Sequence, residues 1–139
     1  MKTIAVTAMM LWLGGCLPAP AAALNHASDL YQSGRYDEAA REYQRVIDMR
    51  PSWAPPYLGL GNARLALNER AEAVDAYKRA VALSPDWVDA LTSLGRALLE
   101  MDRASEAVPV LTRAVQLDPS SGSATSLLRQ AEARATPKG

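Results

Sequence analysis

A step of 34 residues runs through this chain. Pro51, Pro85 and Pro119 stand 34 apart, and so do Ala39, Ala73 and Ala107, and Glu38, Glu72 and Glu106. Tyr43, Tyr77 and Leu111 form one column and Val46, Ala80 and Ala114 another. Ala27, Gly61 and Gly95 form a third column, of small residues. Trp53 and Trp87 keep the same interval. A fixed period of this length means stacked copies of one supersecondary unit. Each unit is too small to bury its apolar face alone, so neighbours must cover it.

Within a unit the apolar residues fall at helical spacing. Tyr57, Leu60, Ala63 and Leu67 mark a helix between Ala54 and Leu67; Ala73, Val74, Tyr77, Ala80, Val81 and Leu83 mark a second from Ala71 to Leu83. Asn68, Glu69 and Arg70 read as the turn between them. Ser84–Pro85 ends the second helix, because proline cannot continue it. The small columns have a packing reason. Gly61 and Gly95 on first helices, and Ala73 and Ala107 on second helices, let two backbones approach, with Tyr77 and Leu111 filling the space around them. Pro109 falls near the start of a second helix. With Ser105 as N-cap it removes only the first intrahelical bond, which predicts a modest kink rather than a break.

In these columns the chain resembles the tetratricopeptide repeat (TPR) family, a 34-residue helix–turn–helix with small, aromatic and proline signatures. The second repeat shows Tyr57, Leu60, Gly61, Ala73, Tyr77, Ala80 and Pro85. The third shows Leu91, Leu94, Gly95, Ala107, Leu111, Ala114 and Pro119. The first is degenerate in its first helix (Ala23, His26, Ala27) and recovers through Gly34–Ala40 and Pro51. The resemblance covers about Ala21 to Ser121. It implies an all-α, right-handed solenoid of three repeats plus a C-terminal capping helix. The repeats are placed at residues 24–53, 54–87 and 88–121, the cap at 122–135 and a tail at 136–139. Leu127, Leu128 and Ala131 line one side of the cap, as a solenoid end requires.

Composition removes other classes. Fifteen basic residues balance fifteen acidic ones, so there is no cationic excess to neutralise phosphates and no nucleic acid is expected as partner. One Cys and one His exclude a multi-thiolate metal site and the common His clusters. His26 reads as a packing or cap residue, and Trp53 and Trp87 as packing at repeat junctions. Glu38, Glu72 and Glu106 sit in first turns of second helices, where they oppose the helix dipole; they are not a catalytic pair. No phosphate loop, Ser-nucleophile turn or paired-Cys motif occurs. Neither an enzyme, a metal, a cofactor nor a small-molecule substrate is expected.

The first residues read as a targeting segment. A short basic start (Lys2) precedes an apolar run from Ile4 to Leu13. That run is too short for a membrane span, which needs about 20 residues, and it fits a secretory leader. Leu13–Gly14–Gly15–Cys16 resembles the bacterial lipoprotein signal. The resemblance implies removal of residues 1–15 and a covalent lipid on Cys16, with 16–23 as a short Pro-rich tether. Leu17 stands where Asp commonly directs inner-membrane retention. The implied location is therefore the periplasmic side of the bacterial envelope, the outer membrane rather than the inner.

In the TPR family the first helices line a concave face that holds peptides or partner helices. The positions expected there are Leu24, Ser28, Tyr31 and Gln32; Leu58, Asn62, Leu65 and Ala66; and Thr92, Arg96, Leu99 and Glu100. Tyr31, Leu58, Asn62, Leu65, Thr92, Arg96 and Leu99 form the candidate partner-binding groove. Some family members grip a C-terminal carboxylate there. Asn62 and Arg96 match that clamp, but Leu24, Ser28 and Thr92 stand where it has Lys, Asn and Lys, so no clamp is expected. Asn62 can both donate and accept hydrogen bonds, and Arg96 suits an acidic or aromatic group. The function implied is an adaptor or assembly factor of an envelope machine, such as a pilus, secretion or outer-membrane assembly system. The alternatives are an accessory subunit of a periplasmic cell-wall enzyme and a self-associating structural lipoprotein.

Overall fold

The computed structural model describes residues 19–136. Among these there are seven α-helices and no strand: α1 (Pro20–Gln32), α2 (Tyr36–Met49), α3 (Pro55–Ala66), α4 (Arg70–Leu83), α5 (Val88–Glu100), α6 (Ala104–Leu117) and α7 (Gly122–Ala135). Consecutive helices pack on one another. The first helices α1 and α3 also touch, and α5 touches the cap α7. The architecture is the expected helical solenoid, three helix pairs and a capping helix. Cys16, residues 1–15 and residues 137–139 lie outside the described residues.

The period is kept at the level of single backbone bonds. After α1, the Arg35 N–H reaches the Leu30 carbonyl and the Gly34 N–H reaches Tyr31. After α3 the same pair joins Glu69 to Arg64 and Asn68 to Leu65. After α5 it joins Arg103 to Leu98 and Asp102 to Leu99. This is a Schellman ending, which needs a left-handed residue just past the helix. Gly34 (φ 76°), Asn68 (φ 65°) and Asp102 (φ 56°) supply it. Asn and Asp tolerate that conformation better than other side chains.

The small columns do what their spacing predicts. A Cβ on Gly61 would collide with the Tyr77 ring, and one on Gly95 with the Leu111 side chain. Tyr77 and Leu111 are almost wholly buried, as are Ala73 and Ala107. Gly59 adds a contact the columns do not reveal: a Cβ there would strike the ring of Tyr43 on α2. That glycine lets the first repeat close against the second.

Four local expectations are corrected. The first helix of the first repeat, degenerate in its motif residues, is a full thirteen-residue helix, and it begins at Pro20, inside the stretch read as tether. Proline suits the first helical turn, where its missing N–H has no partner to lose. The repeat boundary at residue 24 is therefore too late. Arg70 already belongs to α4. The N-cap of α6 is Arg103 rather than Ser105. Pro109 thus lies inside the helix, although α6 runs through it without interruption. His26 is exposed in the middle of α1, neither a cap nor a core residue.

Candidate functional site

The first helices place side chains around a concavity of about 330 Å³. Tyr31 comes from α1, Asn62, Leu65 and Ala66 from α3, and Ser93, Arg96 and Glu100 from α5. Tyr77 reaches it from α4, behind the first helices. The walls are mixed: a leucine and two aromatic rings beside an amide, a hydroxyl, a cation and a carboxylate.

The polar groups divide into committed and open ones. The Tyr77 hydroxyl donates to Asn62 Oδ1 at 2.7 Å. Burial pushes the Tyr77 phenol well above the ordinary tyrosine range, with nearby Tyr31 adding to the effect, so it stays a donor at neutral pH. Glu100 faces Arg70 of α4 at 3.6 Å. That pair is near half exposed on both sides and contributes little stability. Arg96 is exposed and has no ion-pair partner among the described residues. Its guanidinium offers five donors in a planar fork. The concavity therefore presents one open cation between an apolar wall and a fixed amide.

The structure gathers four of the seven expected groove residues: Tyr31, Asn62, Leu65 and Arg96. Leu58 is half-buried and packs between the two larger core clusters. Two expectations of exposure are corrected. Thr92 is 8% exposed and turns its hydroxyl back to the Val88 carbonyl at 2.8 Å. Leu99 is 4% exposed and belongs to the core. The reason is the position of α5, which is enclosed by α4, α6 and α7. Eight of its thirteen residues are buried. Ser93 and Tyr77 are the lining residues outside the expected first-helix positions. Tyr77 could have been found from its column, because a ring opposite Gly61 must extend past a first helix.

Known proteins share this build. Residues 58–122 match the family model described as tetratricopeptide repeat, and residues 27–68 match a second one described as TPR repeat. The first TPR domain of Spaghetti (RPAP3), bound to the HSP90 peptide SRMEEVD, superposes with a TM-score of 0.79 at 24% identity. The match covers 82% of this chain and 90% of that one. YrrB, a TPR protein with an unusual peptide-binding site, gives a TM-score of 0.77 at 24% identity, over 83% of this chain and 59% of that one. The Yersinia enterocolitica type III secretion chaperone SycD, in complex with a peptide of the translocator YopD, gives 0.74 at 21% identity, over 82% and 92%. No curated protein matches the sequence. At these identities the likeness is one of fold. Residues 27–122 carry tetratricopeptide repeats, matched by the two family models together.

Proposed function

We propose that this chain is a protein-interaction adaptor that holds an extended peptide segment of another protein in the concavity. The observation that carries the reading is Arg96, an open cation on the concave wall beside Leu65, Tyr31 and the fixed Asn62. A segment with one acidic side chain next to an apolar one fits that pattern. The carboxylate pairs with the guanidinium, while the apolar neighbour lies on Leu65. The peptide-bound neighbours named above support the mode of use. We further propose that Cys16 carries the covalent lipid. The adaptor is then tethered on the periplasmic side of a bacterial envelope, at the outer membrane, and serves a pilus, secretion or outer-membrane assembly machine.

The test is a peptide-library selection with the full chain in detergent, run beside Arg96→Glu. Wild type should select peptides with Asp or Glu, and the variant should lose them and turn towards Lys or Arg. Indifference of the selection to Arg96 would remove the site. The anchor is tested separately by the mass of the N-terminal peptide and by Cys16→Ser, which should release the protein from membranes.

A further inference from the structure

Consecutive helices joined by short turns run antiparallel, so one edge of the solenoid collects every other junction. The chain enters at that edge with Pro20. It returns there at Arg50–Ala54, at Ser84–Trp87 and at Asp118–Ser121. The opposite edge holds Ser33–Arg35, Leu67–Glu69 and Met101–Arg103.

The two edges differ in chemistry. The two large apolar side chains left exposed among the described residues, Met49 (39%) and Leu117 (37%), both end helices on the entry edge. Trp53 and Trp87, half-buried, stand in its junctions. Arg50 lies over the Trp53 ring, 5.0 Å from its centroid, and has no carboxylate partner among the described residues. Among the described residues one of this edge's four aspartates has a cationic partner, and the other three keep their charge. Asp86 is held by Arg113, Asp118 accepts from Ser120, and Asp48 accepts from Gln44. Asp89 sits in the first turn of α5, where the helix dipole favours it. Tryptophan and arginine side by side, with exposed apolar tips on the same edge, suit the boundary between headgroups and acyl chains.

We propose that this edge rests on a phospholipid bilayer. Met49, Trp53, Trp87 and Leu117 enter the headgroup boundary, Arg50 meets a lipid phosphate, and the helices stand upright on the membrane. The proposal rests on Cys16 being the lipid anchor. Chain length then fixes which edge comes down. Four backbone steps join Cys16 to Pro20, and four steps reach at most about 14 Å. A headgroup layer is about 6 Å deep, so Pro20 stays within about 8 Å of its outer face. The thirteen residues of α1 rise about 20 Å, which carries the opposite edge away from the surface.

The experiment uses acylated protein purified from membranes and reconstituted into phosphatidylethanolamine–phosphatidylglycerol vesicles. Nitroxide labels are placed through Met49→Cys, Leu117→Cys, Ser33→Cys and Thr136→Cys, all at exposed positions. Acylation blocks the Cys16 thiol, the only native one. Labels at 49 and 117 should be relaxed by oxygen and shielded from an aqueous nickel chelate, with the reverse at 33 and 136. In the unsubstituted protein, brominated lipids should quench the tryptophan fluorescence. Four equally aqueous labels on protein whose Cys16 is acylated would overturn the proposal and leave the anchor intact. An unacylated Cys16 by mass overturns the anchor reading and this one with it. Labels at 49 and 117 shielded from both relaxants, in proportion to protein density, would overturn it in favour of a second copy on this edge.

Discussion

The Tyr77 hydroxyl donates to Asn62 Oδ1 at 2.7 Å, and one repeat earlier the hydroxyls of Tyr43 and Ser28 meet at 3.2 Å. Each pair joins a second helix to the first helix of its own repeat. The third repeat has Leu111 and Arg96 in these columns. Leucine offers no hydrogen bond, so Arg96 is not drawn inward. The open cation of the concavity thus goes with a change at both positions of the pair, Arg96 on the first helix and Leu111 on the helix behind it.

The Tyr77–Asn62 bond should be measurable as a coupling. Tyr77→Phe removes the donor and Asn62→Ala the acceptor; Tyr77 is buried and Asn62 half-buried. A double-mutant cycle in urea should give about 1 kcal/mol. A coupling near zero would mean that water replaces the partner without loss.

Alkaline pH should weaken the fold. Burial raises the phenol pKa of Tyr77, and of Tyr43 to a lesser degree, above the ordinary value. The unfolded chain then releases these protons first. Stability is full below about pH 10 and falls as pH rises past it, because the unfolded state binds fewer protons there. Urea midpoints measured from pH 8 upward should show this decline. Tyr77→Phe should flatten it, and an unchanged slope in that variant would assign the decline to other groups.

Two glycines separate two kinds of cost. At Gly34 nothing lies near an added Cβ, but the backbone is left-handed at φ 76°. Gly34→Ala should cost about 1 kcal/mol through conformation alone. Gly34→Asn should cost less, since Asn68 adopts the same conformation one repeat later. At Gly59 the backbone is helical but the Tyr43 ring occupies the space. Gly59→Ala gains up to about 1 kcal/mol of helix propensity and loses about 1–3 kcal/mol to overpacking. It should therefore destabilise on balance, and a stabilised variant would show that the ring moves freely.

Much of this fold was legible because the period repeats one packing problem. The glycine column opposite Tyr77 and Leu111 announced which helices meet. The degenerate look of α1 misled because Pro20 and a run of alanines lack strong apolar periodicity; tertiary contacts through Ala23, Ala27 and Leu30 make the helix instead. In the site, Tyr31, Asn62, Leu65 and Arg96 followed from their columns. Thr92 and Leu99 did not, because column membership says nothing of how far the neighbours reach. Leu99 is covered by a core that includes Ala131 of the cap, and Arg134 donates to its carbonyl at 3.3 Å.

The columns also predict a near-silent charge change. Arg35 and Arg103 each fork onto a Glu three residues on, Glu38 and Glu106. The second repeat has Glu69 in that column, beside Glu72, and Glu69 pairs with Arg64 instead. Glu69→Arg restores the forked pair and breaks the other. All the groups are substantially exposed, so the net change should stay within about 0.5 kcal/mol. A thermal scan showing a larger loss would make the Arg64–Glu69 bridge a structural element of that turn.

Pro109 offers the largest gain. It lies six residues into α6 on the exposed face, so the Ser105 carbonyl lacks its usual intrahelical donor. The same column carries Arg41 and Asp75, both within regular helices. Pro109→Ala supplies the N–H and removes the ring from the preceding turn. Proline inside a helix costs about 3 kcal/mol relative to alanine. Water already satisfies the exposed carbonyl and α6 has settled around the ring, so about 1–2 kcal/mol of that should be recovered. The gain should appear as a higher urea midpoint with an unchanged slope. If stability falls instead, the ring makes contacts with its neighbours that outweigh the missing bond.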